Sequence, residues 1–251
     1  MKEFKGQLGN YRIIKTDDNS ETIWSEYFDE NCHNTSGAIA ETIYNYIEGC
    51  EIEKQISLFR PLAIFDVGFG PGIGLKILNN SINSNETVHY YSVEIDEVLV
   101  EWALKNTFQI TNYQIIANNE LKYYQFKINN IDSMIFIGDA RVTIPLAKQQ
   151  NLIHPLHAIF QDPFSPKKNP TLWTVEWFQL LKSLSHPKVI MATYSSSISI
   201  RKSMLKAGFN IINRKGFGQK RTMTKALLEG KIADDLQEQL NKSPILELHD
   251  K

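Results

Sequence analysis

Apolar residues in this chain fall into short runs, and the runs alternate with stretches of helical spacing. Leu62-Ala63-Ile64-Phe65-Asp66-Val67 is nearly all apolar, as a strand covered on both faces would be. Similar runs occupy 89–96, 157–161 and 188–194. Between them, 72–80, 97–104, 172–181 and 195–207 carry helix formers or apolar residues at helical spacing, and Gly208 is a helix stop. The segments 122–128 and 131–137 are two strands around Asn129-Asn130, a tight hairpin turn. A helix is expected over 111–121. The runs at 209–214 and 222–228 make a closing antiparallel pair. This order predicts an α/β fold with a Rossmann-like, mostly parallel sheet of seven strands and an inserted hairpin.

The flanks read differently. Residues 11–15 and 21–25 form a hairpin around Asp17-Asp18-Asn19-Ser20, which predicts a β-rich N-terminal extension. The stretch 26–38 is polar, aromatic and aperiodic. It is a capping loop over the sheet edge or a wall of a ligand site, with His33 as a structural histidine. From Gly37 to Glu48, Ala38, Ile39, Ile43, Tyr44 and Ile47 recur at helical spacing, which predicts a helix packing on the sheet through those residues. Residues 229–251 are polar and expected to fray. The divisions are therefore 1–50 for the extension and packing helix, 51–228 for the main domain and 229–251 for the tail.

Composition narrows the class. The chain has 251 residues, 42% hydrophobic and 22% charged, with a formal net charge of −1. That is ordinary for a globular domain, and a nucleic-acid partner would need a local basic patch. Two cysteines suggest neither a disulfide framework nor a zinc site, so no metal is expected. The N-terminus lacks an apolar signal core and no run reaches membrane-spanning length. A cytoplasmic, reducing location with no membrane partner is expected.

Four glycines at alternate positions, Gly68, Gly70, Gly72 and Gly74, separate the first buried strand from a helix. Such a turn brings backbone close to a ligand. A dinucleotide turn needs its third glycine at 73, where Ile73 stands, and Pro71 removes a backbone amide. Asp66 would repel a pyrophosphate and suit a cation. The D-x-G-x-G-x-G pattern resembles the first motif of class I S-adenosylmethionine methyltransferases, which makes Asp66, Gly68, Gly70 and Gly72 candidate cofactor contacts. A dinucleotide turn, or a glycine-rich turn of some other α/β protein, are the competing readings. Glu94 ends the second strand, where a carboxylate can accept both ribose hydroxyls, and Asp96 is the better cap for the next helix. Asp139, with Ala140 beside it, ends the third strand. It caps a helix or accepts the adenine amine.

The fourth strand runs into Asp162-Pro163-Phe164-Ser165-Pro166-Lys167-Lys168-Asn169-Pro170, a stiff loop whose three prolines exclude helix. Trp173 and Trp177 beyond it are expected in the core.

Four stretches together resemble one family. They are 16–25 with His33-Asn34-Thr35-Ser36-Gly37-Ala38; Phe65-Asp66-Val67-Gly68-Phe69-Gly70-Pro71-Gly72; the loop from Asp162 to Trp173; and Ala192-Thr193-Tyr194-Ser195 with Gly216-Phe217-Gly218-Gln219-Lys220-Arg221. The chain resembles the methyltransferase part of the tRNA 5-methylaminomethyl-2-thiouridine biosynthesis bifunctional proteins, over about residues 10 to 228. The resemblance implies methylation of the amine of 5-aminomethyluridine at the wobble position of tRNA, with S-adenosylmethionine as cofactor. The bifunctional proteins also carry an FAD-dependent oxidase. This chain has no second glycine fingerprint, so a stand-alone methyltransferase without FAD is expected.

In that setting Asp162 is the candidate that orients the amine and takes its proton, and it also lies within reach of the cofactor. Phe164 and Tyr194 would wall the target base or the sulfonium. Lys167, Lys168, Arg214, Lys215, Lys220 and Arg221 are candidate RNA contacts, with Arg201, Lys202 and Lys225 nearby in sequence. Two other readings remain. One is a small-molecule amine methyltransferase or an aminopropyltransferase resembling spermidine synthase. The other is a non-enzymatic S-adenosylmethionine-binding partner of a tRNA-modifying enzyme.

Overall fold

The computed structural model describes residues 2–83, 85–218 and 221–250. The chain opens with a four-stranded antiparallel sheet, β1 (Glu3–Lys5), β2 (Asn10–Lys15), β3 (Glu21–Ser25) and β4 (Glu30–Asn31). The helix α1 (Ala38–Thr42) continues as a π-helical segment, Ile43–Glu48, and α2 (Ile52–Leu58) leads into the main sheet.

That sheet alternates with helices. In chain order its first half is β5 (Leu62–Val67), α3 (Ile73–Ser81), β6 (Val88–Glu94), α4 (Glu97–Ala103), β7 (Gln114–Ala117), β8 (Lys122–Ile128) and β9 (Ile131–Ile137). The second half is α5 (Ala140–Gln149), β10 (Leu156–Gln161), α6 (Val175–Leu184), β11 (Ser185–Thr193), α7 (Ile198–Ala207), β12 (Asn210–Lys215), β13 (Thr222–Leu227) and α8 (Asp234–Lys242). The nine strands are ordered β12-β13-β11-β10-β5-β6-β9-β8-β7. Strands β9, β6, β5, β10 and β11 are mutually parallel, and the others join antiparallel.

Strand β5 is buried along its whole length because parallel neighbours flank it and helices cover both faces. One core packs Trp173, Trp177, Phe178 and Leu181 on one face, and another packs Tyr46, Phe69, Leu75 and Leu78 on the other. The chain leaves β5 toward β6 and later returns on its other side as β10. That reversal opens a crevice at the carboxyl ends of β5 and β10, the switch point where ligands of open α/β sheets bind.

Four expectations are corrected. The sheet has nine strands rather than seven, because β8 of the inserted hairpin and β7, which pairs with it, extend one edge. The helix expected over 111–121 is absent. Gln114–Ala117 pairs with β8 instead, and Ile115 stays 48% exposed on that edge. The tail does not fray. Leu236 and Leu240, one helical turn apart on α8, are buried, and Leu248 exchanges hydrogen bonds with Val175 N and Ser203 Oγ.

The fourth correction bears on the site. Along the helix from Ala38 to Glu48, Ala38 and Ile47 pack inward as their spacing predicts, but a polar face turns inward beside them in place of Ile39 and Ile43. Ile39 and Ile43 are 39% and 37% exposed, while Glu41, Thr42, Asn45 and Tyr46 are buried. Among the described residues, no helix is long and apolar enough to cross a membrane.

Candidate active site

Beyond Val67 the backbone turns through Gly68 and Gly70, both at positive φ, and Gly72 precedes α3. Positive φ at these positions is what makes glycine necessary. Asp66 lies beneath the turn, 4% exposed, and accepts a 2.5 Å hydrogen bond from Tyr90 Oη. Burial pushes its carboxyl up to about 7. A Cβ at Gly74 would run into Asp66 Oδ2, so glycine there lets α3 settle onto the carboxyl group.

The neighbouring strand end supplies Glu94. Its Oε2 accepts from Gly70 N at 2.9 Å and its Oε1 from Asp96 N at 3.1 Å. Burial raises its carboxyl to about 7 as well. Asp96 caps α4 through Val98 N at 3.0 Å, as the sequence predicts. At the next strand end Asp139 caps α5 through Arg141 N at 2.8 Å. Capping does not remove it from the site, because Asp139 and Ala140 line a cavity with Ile95 and Gly138.

On the other side of β5, Gln161 pairs in register with Val67, which sets Asp162 beside Gly68. The proline-rich loop is held from behind. Trp173 Nε1 donates to Phe164 O at 2.9 Å, Gln161 Nε2 donates to Leu172 O at 2.7 Å, and Trp177 Nε1 donates to Gln161 Oε1 at 3.2 Å. Both tryptophans are fully buried, as expected. From the front, Phe28 stacks on Phe164 at 4.1 Å between ring centroids, and Glu30 Oε2 accepts from Ser165 N at 3.0 Å. Tyr194 Oη donates to Pro163 O at 2.9 Å. Burial and the nearby carboxylates of Asp162, Glu30 and Glu41 raise the Tyr194 hydroxyl well above its ordinary value, so it stays protonated.

Three cavities adjoin along this edge. The outer one, about 440 Å³, lies between Glu94, Asp139, Ala140 and Phe164. The middle one is narrow, about 50 Å³, and reaches from Gly68, Gly70 and Glu94 to Thr42, Tyr46 and Asp162. Glu94, Gly68, Pro163 and Phe164 belong to both. The third, about 280 Å³, is walled by Glu30, Glu41, Asp162, Phe164 and Tyr194. Cys32, His33, Asp162, Pro163 and Phe164 connect it to the middle one. Burial holds the His33 imidazole near 4, so it is neutral, with its Nδ1 3.1 Å from Thr22 Oγ1. The stretch 26–38 is thus a wall of the site.

The structure therefore brings together Asp66, Gly68, Gly70, Glu94, Asp139, Ala140, Asp162, Phe164 and Tyr194. Gly72 lines none of the three cavities. It packs against Phe108 at the start of α3. Phe28, Glu30, Glu41, Thr42 and Tyr46 are wall residues that the sequence did not single out. The edge suits S-adenosylmethionine: a glycine cradle, a carboxylate between two cavities, and acidic groups for a ligand carrying an ammonium and a sulfonium.

The basic residues divide. Lys167, Lys215 and Arg221 are exposed, and Lys168 pairs with Asp29 at 2.9 Å. Arg214 donates to Tyr44 O and Asn45 O and lies 4.9 Å over the Tyr44 ring. Arg201 is buried, donating to Thr224 Oγ1 and Met223 O, and Lys225 pairs with Glu51. Those two leave the basic set. Lys220 lies outside the described residues.

Residues 104–229 match a family described as S-adenosyl-L-methionine-dependent methyltransferase. An uncharacterized protein of Methanocaldococcus jannaschii is 26% identical over 232 residues, covering 90% of this chain and 61% of its own. The tRNA 5-methylaminomethyl-2-thiouridine biosynthesis bifunctional protein MnmC of Paraburkholderia phymatum is 26% identical over 241 residues, covering 89% of this chain and 35% of its own. The chain thus spans about a third of that relative. The crystal structure of MNMC2 from Aquifex aeolicus superposes with a TM-score of 0.75 at 26% identity, covering 99% of this chain and 81% of that one. The fold is that of class I methyltransferases, related to the methyltransferase part of MnmC. The chain belongs to the S-adenosyl-L-methionine-dependent methyltransferase family, and S-adenosylmethionine is its cofactor.

Proposed function

We propose that this protein methylates the amine of 5-aminomethyluridine at the wobble position of tRNA, giving 5-methylaminomethyluridine. The observation that carries the reading is the third cavity. Glu30, Glu41 and Asp162 converge on it, no lysine or arginine is among the described residues lining it, and it opens onto the cofactor cavity at Asp162. Such a chamber takes an amine.

The cofactor supplies a methyl group on a sulfonium, and transfer to nitrogen leaves S-adenosylhomocysteine. Glu94 holds the ribose, and Asp139 and Ala140 hold the adenine. Asp66, Gly68 and Gly70 shape the amino-acid end. Asp162 orients the amine by hydrogen bond and accepts its proton, leaving the lone pair in line with the methyl carbon. Phe164, backed by Phe28, and the protonated Tyr194 wall the uracil ring.

Thr193 pairs with Thr224 and Lys215 with Thr222, so β12 ends and β13 begins at the same sheet edge as Asp162. Lys167 and Lys168 in the stiff loop, Arg214 and Lys215 at the end of β12, Arg221 just before β13, and Lys220 between them in sequence contact RNA phosphates in this reading. The relatives named for tRNA 5-methylaminomethyl-2-thiouridine biosynthesis support tRNA as the acceptor.

Labelled S-adenosylmethionine and tRNA carrying 5-aminomethyluridine test the proposal. Label is expected in that tRNA and not in tRNA with plain uridine at the same position. Labelling of a polyamine in place of tRNA, or of no acceptor, would overturn it.

A further inference from the structure

We propose that Thr42, with Tyr46 beside it, receives the carboxylate end of S-adenosylmethionine. This rests on the cofactor and not on the identity of the methyl acceptor.

The cavities set the direction of the ligand. Glu94 stands between the outer and middle cavities, so an adenosine whose ribose meets Glu94 and whose base lies toward Asp139 has its amino-acid end in the middle one. That end carries an ammonium and a carboxylate. Asp66 lines the cavity and suits the ammonium. No lysine or arginine is among the described residues lining it, so the carboxylate must be met by neutral donors.

Thr42 is such a donor without an occupation. It is 1% exposed, and its Oγ1 has no hydrogen-bond partner. A buried hydroxyl is almost always paired, and a helical threonine ordinarily bonds the carbonyl one turn back. An orphaned hydroxyl lining a narrow ligand cavity is accounted for when the ligand accepts from it. Tyr46 Oη, 2% exposed, faces Asp162 without a well-formed hydrogen bond. Burial and Asp162 keep it protonated, hence a donor.

The backbone agrees. The π-helical segment starts at Ile43, one residue after Thr42, and the helix turns its polar side inward at the expense of Ile39 and Ile43. Single π-turns recur at functional sites because they re-aim side chains. A decarboxylated donor, as an aminopropyltransferase would use, leaves Thr42 orphaned.

The test compares two ligands by titration calorimetry, S-adenosylhomocysteine and 5′-methylthioadenosine, which lacks the amino-acid end. Thr42→Val is expected to weaken S-adenosylhomocysteine about tenfold or more while leaving methylthioadenosine within about twofold. Its ligand-free melting temperature should match or exceed that of the wild type, because valine removes an unpaired polar atom. Thr42→Ser should restore affinity. In the wild type, S-adenosylmethionine should bind about tenfold or more tighter than its decarboxylated form, a comparison that needs no variant. Equal loss for both ligands, loss for neither, a lower ligand-free melting temperature, or no preference for the carboxylated donor would each overturn the assignment.

Discussion

The Tyr11 hydroxyl donates to Asp96 Oδ2 at 3.0 Å, across 85 positions of sequence. Leu8 N donates to the same oxygen at 3.1 Å, and Phe4 stacks on both Tyr11 and Trp102 of α4. Asp96 is fully buried, and its own backbone N–H donates to Glu94. One residue thus joins the N-terminal sheet and the start of α4 through its carboxylate, and Glu94 at the boundary of two cavities through its backbone N–H. Tyr11→Phe is expected to cost about 1 kcal/mol, and Asp96→Ala about 3 kcal/mol or more, since it strands three donors. Both should weaken cofactor binding through Glu94. Urea denaturation and a cofactor titration check this. Variants with wild-type affinity would separate the N-terminal sheet from the site.

As the proposed ribose ligand, Glu94 is expected to make cofactor binding depend on pH. A carboxylate accepts two hydroxyls best when ionised, and burial raises the Glu94 carboxyl to about 7. Affinity is expected to fall by up to about tenfold per pH unit below that value, and Glu94→Gln should bind more weakly with a flat profile.

The same group has the opposite effect on stability. A folded-state value raised above the unfolded one gives a contribution that is complete at low pH and lost as pH rises through about 7. His33 and His157, held near 4 by burial, work the other way, losing their contribution as pH falls below the ordinary imidazole range. The Glu94 contribution is therefore read as a difference. The ligand-free Glu94→Gln variant should gain on the wild type in melting temperature as pH rises from about 6 to about 8. A constant difference would contradict the raised value.

Asp162→Asn keeps the size of the side chain and removes the proton acceptor. Methyl transfer is expected to fall about a hundredfold or more, with cofactor affinity within about threefold of the wild type. Transfer and cofactor affinity lost together would place Asp162 in the cofactor shell instead.

How far the sequence can be read follows from how local each feature is. The glycine turn, the Asp96 cap and the proline-rich loop are short stretches whose backbone demands show in residue type, and all three stand where the sequence places them. The inward helix face misleads because Ile39, Ile43 and Tyr44 outweigh Glu41, Thr42 and Asn45 on any amphipathic reading. A ligand cavity reverses the rule that polar residues face solvent. Phe28 meets Phe164 across most of the chain, a contact no local pattern carries. Helix α8 buries only Leu236 and Leu240, too sparse an apolar signal to stand out from its polar composition.

The central claim is an acceptor amine on tRNA, and the composition of the tRNA after reaction tests it most directly. tRNA carrying 5-aminomethyluridine is incubated with the protein and S-adenosylmethionine, digested to nucleosides and resolved by mass spectrometry. The account predicts loss of 5-aminomethyluridine with matching appearance of 5-methylaminomethyluridine, and no change with Asp162→Asn. Methylation of a different nucleoside, or an unchanged 5-aminomethyluridine pool with active cofactor-binding protein, would contradict it.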